Sequence, residues 1–128
     1  MEAAAAETFA REWYAAWNAH DLDAILGHYA DDVEMTSPLV GPLSGNADGR
    51  IVGKEALRAY FAAGLEAYPD LRFEPLGLFV GVDSVVLQYV SVGGRRSAEV
   101  VFLDERGKIV RYAAHYADPP STRNGEPR

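Results

Sequence analysis

The hydrophobic positions change period once along the chain, dividing it into a helical half and a strand half. Over residues 2–19, Ala6, Phe9, Ala10, Trp13, Ala16 and Trp17 recur at steps of three and four and form one apolar stripe. Glu7 and Arg11 lie off that stripe as a favourable i,i+4 pair. Residues 18–21 break the pattern, and Asp21 is placed to cap a second, short helix on which Leu22, Ile25, Leu26 and Tyr29 share a face. Asp31 and Asp32 read as the close of that helix, ahead of an extended stretch over residues 33–36. Residues 37–52, rich in Gly and Pro, predict a long irregular loop, and loops of that length are usually functional or mobile. Helical spacing returns at Leu57, Tyr60, Phe61, Gly64, Leu65 and Tyr68, in a third helix that begins at Lys54 and is stopped by Pro69.

From Leu71 onward the period is two. Candidate strands cover residues 71–80, 84–92, 96–103 and 108–116, joined by turn residues at 81–83, 93–94 and 104–107. Pro75 and Gly77 predict a bend or bulge in the first of them. The strands are apolar on both faces, with Val86, Val90 and Val92 on one and Val85, Leu87 and Tyr89 on the other. An antiparallel sheet normally wets one face. Three helices can cover one side only, so the pattern predicts a homodimer through the outer sheet face. Residues 1–118 read as a single domain, and residues 119–128, with three prolines and no apolar cluster, as a disordered tail.

Composition narrows the chemistry. The chain has 128 residues and no cysteine, which excludes disulfides, thiolate nucleophiles and sulfur-ligated zinc. Twelve basic against nineteen acidic residues give a net charge of −7, which disfavours nucleic acid and anionic membrane as partners. Glu2 and Glu7 flank the N-terminal alanine run and no basic region precedes it, so this segment reads as helix and the expected compartment is the cytoplasm. His20, His28 and His115 are scattered without ligand spacing, and neither a metal nor a cofactor is expected.

The order of elements and several short motifs carry a resemblance. Trp13-Tyr-Ala-Ala-Trp-Asn-Ala-His-Asp-Leu-Asp-Ala, Tyr29-Ala-Asp-Asp-Val, Gly53-Lys-Glu-Ala-Leu-Arg-Ala-Tyr-Phe and Gly107-Lys-Ile-Val together resemble the nuclear-transport-factor-2-like superfamily. Within it, the chain is most similar to the SnoaL-like polyketide cyclase and ketosteroid isomerase-like group, from about Phe9 to Asp118. The resemblance implies an α+β, cone-shaped fold: three N-terminal helices on a curved, mainly antiparallel sheet that encloses a cavity. That superfamily hosts enzymes and binding proteins alike, so the fold does not settle the activity.

The family's isomerases use an Asp base, with a Tyr and a protonated Asp as the oxyanion hole. By resemblance the neutral-acid position falls on Glu99, the base position on Ser37 and the tyrosine position on Trp13, beside Tyr14. Serine cannot accept a proton at neutral pH, which argues against steroid isomerase chemistry. His115, on the last strand, is a titratable group suited to acid–base work, provided that it faces the cavity. Glu99 has two readings: a cavity acid, or an ion-pair partner of Arg95, Arg96 or Arg111. Candidate catalytic residues are therefore Glu99 and His115. Candidate ligand contacts are Trp13, Tyr14, Trp17, Tyr29, Ser37, Tyr60, Phe61, Gln88, Val101 and Tyr116. The expected function is binding of a small, mostly apolar molecule in the cavity. The alternative is a cofactor-independent cyclase or isomerase acting on a small carbonyl compound.

Overall fold

The computed structural model describes residues 1–40 and 48–117. Helix α1 spans Ala3–Asn18 and buries the stripe read from its periodicity, with Tyr14 added. Helix α2, Leu22–Leu26, starts where Asp21 accepts a hydrogen bond from the Ala24 backbone N–H at 3.1 Å. It stops at Gly27, and strand β1 begins at Tyr29 and runs to Thr36. Asp31 and Asp32 therefore do not close a helix: they are exposed in β1, inside a register irregularity between Tyr29 and Glu34. The reason is tertiary, because Tyr29 pairs with Ile109 and draws the chain into the sheet early.

The segment read as loop contains a short strand, β2, Arg50–Val52, paired antiparallel with β1. Residues 41–47 and the expected tail lie outside the described residues. Helix α3, Lys54–Ala67, follows Gly53, whose φ of 93° admits glycine far more readily than other residues. Strands β3, Glu74–Val80, β4, Ser84–Val90, β5, Arg96–Leu103, and β6, Ile109–Tyr116, follow in the described residues. The register slips between Pro75 and Gly77, where the sequence predicts a bulge.

The sheet has six strands in the order β2-β1-β6-β5-β4-β3, with β1 and β6 parallel and every other pair antiparallel. Among the described residues it is an α+β arrangement of three helices on one face of a mixed, open, curved sheet. Alternation decides which side chains meet the helices. Leu87 and Tyr89 on β4, Ser97, Glu99 and Val101 on β5, and Tyr112 and Ala114 on β6 are buried on the inner face. Val86, Gln88 and Val90, Ala98 and Val100, and Ala113 and His115 alternate with them on the outer face. Among the described residues, no helix is long and apolar enough to cross a membrane.

Candidate functional site

Glu99 sits mid-strand on β5, opposite Leu87 of β4 and Ala114 of β6, so its side chain enters the helix-covered side of the sheet. It is 1% exposed. This placement separates it from the arginines that would have made it an ion-pair partner. Arg95 lies over the Tyr116 ring and Arg111 over the Phe102 ring. The Tyr89 hydroxyl donates to Glu99 Oε2, while Oε1 is buried with no hydrogen-bond partner among the described residues.

Burial is the main influence on this carboxyl and raises its pKa from 4.5 to about 7; the hydroxyls of Tyr89 and then Tyr112 pull the other way. Tyr112 favours the charged form without meeting hydrogen-bond geometry at Oε1. The tyrosines pay for the same burial. Tyr14, Tyr29, Tyr89, Tyr112 and Tyr116 are all pushed above the usual phenol value, first by desolvation and then by the charge of Glu99. In Tyr29 the hydrogen bond from Trp13 outweighs that charge and opposes the rise.

A cavity of about 90 Å³ opens beside Glu99, between α3, the end of α1 and the inner sheet face. Of the expected ligand contacts, Trp17, Tyr60, Phe61 and Tyr116 line it together with Glu99. Met35, Gly64, Phe73, Tyr89 and Tyr112, which were not among the expected ligand contacts, also line it. Tyr89 and Tyr112 stood one strand away from Glu99 at matching alternation, and that pairing register was the signal that could have found them. No Lys, Arg, His or second carboxyl is among the described lining residues.

The other expected contacts lie elsewhere. Trp13 is fully buried behind the cavity, where its indole N–H donates to the Tyr29 hydroxyl at 3.1 Å. Tyr14 donates to the Gln88 backbone carbonyl at 3.3 Å, and Val101 is fully buried in the core. Ser37 Oγ accepts from the Leu39 N–H at 3.1 Å, which holds the turn after β1. Gln88 and His115 lie together on the outer sheet face, in a separate depression of about 310 Å³ lined also by Leu76 and Arg96. The sheet thus stands between His115 and Glu99. Trp17 Nε1 is buried without a partner in hydrogen-bond geometry among the described residues, although the Tyr29 hydroxyl lies near it.

Two polar residues read as helix-end punctuation also help to build the site. Asn18 accepts from the Phe73 N–H at 2.7 Å and donates to the Phe73 carbonyl at 3.0 Å. His20, at φ 56°, is 2.8 Å from the Leu71 carbonyl. Together they fasten the segment ahead of β3 to the end of α1, which places Leu71 and Phe73 in the cavity wall. Among the described residues, no group of three or more His, Asp or Glu is arranged to hold a metal ion.

The three helices of the described residues, on a curved mixed sheet, form a cystatin-like fold. The chain belongs to the SnoaL-like domain family, whose model matches residues 10–117. A SnoaL-like protein from Burkholderia thailandensis is 46% identical, with 91% of this chain and 98% of that chain covered and a TM-score of 0.86. A protein of cystatin-like fold from Methylobium petroleophilum is 19% identical over 94% of this chain and 81% of that chain, with a TM-score of 0.74. A protein provisionally named a polyketide cyclase, from Sinorhizobium meliloti, is 17% identical over 84% of this chain and 94% of that chain, with a TM-score of 0.69. The last two likenesses concern the fold alone. No curated protein matches the sequence.

Proposed function

We propose that this SnoaL-like domain binds a small, mostly apolar molecule in the cavity, with Glu99 as its polar contact. The observation that carries this reading is Glu99 Oε1, without a hydrogen-bond partner among the described residues, in a wall of aromatic and aliphatic side chains. A buried polar atom without a partner is costly, and a ligand that satisfied it would recover that cost. The volume of about 90 Å³ suits a compact ligand, well below the roughly 300–1,000 Å³ of drug-sized sites. A fused polycyclic product does not fit it. A second copy of the chain against the apolar outer sheet face belongs to the same proposal.

An NMR titration with compounds of about four to eight heavy atoms tests this reading, using the Trp17 indole resonance as the cavity probe. Gly64 lines the cavity on α3, and a Cβ built there meets nothing within 4 Å, so Gly64→Leu fills the space without disturbing the helix. Binding that Gly64→Leu abolishes is the expected result. Shifts confined to the outer-face residues Gln88 and His115 would overturn the reading.

A second reading is favoured by the raised Glu99 pKa: a cofactor-free cyclase or isomerase, in which protonated Glu99 donates to the oxygen of a carbonyl substrate. With His115 behind the sheet, the other groups at hand are tyrosine hydroxyls, which donate but do not take a proton at neutral pH, so the α-proton passes to water. Solvent deuterium entering the α-carbon of a small ketone, at a rate that Glu99→Gln lowers, is the outcome this reading requires.

A further inference from the structure

Among the described residues lining the cavity, Glu99 has no counter-charge. Every other described residue lining the cavity is neutral, and aromatic rings dominate the wall: Trp17, Tyr60, Phe61, Phe73, Tyr89 and Tyr112 all contribute. An ionised carboxyl ringed by aromatic side chains is the arrangement that attracts an organic cation, because the rings present their negative quadrupole and the acid supplies the opposite charge. The whole chain, at −7, draws cations toward it and repels anions. The free Oε1 requires a hydrogen-bond donor whenever Glu99 is ionised, and the described residues supply none in geometry.

We infer that the cavity selects a compact organic ammonium ion, its N–H groups donating to Glu99 Oε1 and its alkyl groups packing against the surrounding aromatic rings. The inference rests on the ligand-binding reading above and assigns that site its ligand class. Ligand size follows from the volume of about 90 Å³, which leaves space for one branched alkyl group and little more. The described titratable groups that feel the Glu99 charge are Tyr14 from α1, Tyr29 from β1, Tyr60 from α3, Tyr89 from β4, and Tyr112 and Tyr116 from β6; of these, Tyr89 and Tyr112 act on the carboxyl in turn. Each of these phenols is shifted upward from 10, so Glu99 alone among them changes charge between pH 5.5 and pH 8. Cation binding therefore strengthens as pH rises, whereas a carbonyl ligand held by protonated Glu99 would weaken.

The test compares tert-butylammonium with tert-butanol, which share a shape and differ in charge, in NMR titrations of the full chain at pH 8 and pH 5.5. At pH 8 the ammonium is expected to bind at least about tenfold more tightly than the alcohol, with shifts at the Trp17 indole and the Glu99 backbone. At pH 5.5 that preference is expected to shrink several-fold, and in Glu99→Gln the two probes are expected to bind alike. If the alcohol binds the cavity as tightly as the ammonium at pH 8, the cation inference falls and the binding reading stands. Ammonium binding that is unchanged in Glu99→Gln also overturns the inference, because the charge is then being taken elsewhere. If neither probe perturbs the cavity resonances, the inference and the binding reading fall together. The two-probe comparison needs no variant, so it decides the matter even if Glu99→Gln folds poorly.

Discussion

At the scale of single residues, Glu99 sets how the domain responds to pH. Its unfolded value is 4.5 and its folded value about 7, so between these limits the folded state keeps a proton that the unfolded state has lost. The contribution of Glu99 to stability is fully present below pH 4.5, is lost as pH rises toward 7, and then levels off. An interval of that width corresponds to a loss on the order of 3 kcal/mol. Glu99→Gln keeps the shape and removes the titration. Denaturant unfolding of both proteins across this range is expected to show the wild-type loss and a flatter variant, more stable than wild type at pH 8. The acid itself was legible in the sequence, as a carboxyl in an apolar strand. Its facing was not, because period two names two faces without saying which one the helices cover. Gln88 and His115 share that ambiguity, and pairing placed both on the outer side.

At the scale of elements, the helix stripes and strand alternation were legible because burial is periodic. Boundaries set by pairing were less so. β2 hid among glycines, and Asp31 and Asp32 joined a strand because Tyr29 pairs with Ile109. Asn18 read as a helix end, yet it also clips the Phe73 backbone through two hydrogen bonds. Asn18→Ala leaves both Phe73 backbone groups without their side-chain partner and is expected to cost about 2 kcal/mol by chemical denaturation. Gly64 offers the opposite case. Its Cβ would enter open space at the cavity in mid-helix, so Gly64→Ala is expected to raise stability by about 0.5–1 kcal/mol in the same measurement. A loss instead would mean that the helix needs that gap.

At the scale of the whole molecule, one sheet face is sealed by helices and the other is not. Leu76 and Phe79 on β3 are each 57% exposed, and Val86, Val90, Val100 and Phe102 continue the apolar surface across β4 and β5. Exposed apolar area of this kind is the surface a partner covers. A dimer through this face is therefore expected: light scattering should give twice the 13.9 kDa chain mass, and Phe79→Lys combined with Val100→Lys should give the monomer. A monomeric wild type at high concentration would contradict it. The resemblance read from about Phe9 to Asp118 anticipated the family because its motifs mark caps and packing shared across the fold. The cavity's size and the tyrosines around Glu99 were not legible in those motifs, since they depend on which strands lie side by side.

The central claim is that Glu99 is the buried acid of a ligand cavity, and its own titration tests that most directly. Carbon-13 NMR of the Glu99 side-chain carboxyl across pH 3 to 9 is expected to show a midpoint near 7. A midpoint at the ordinary value of 4.5 would mean a solvated or ion-paired carboxyl and would contradict the account.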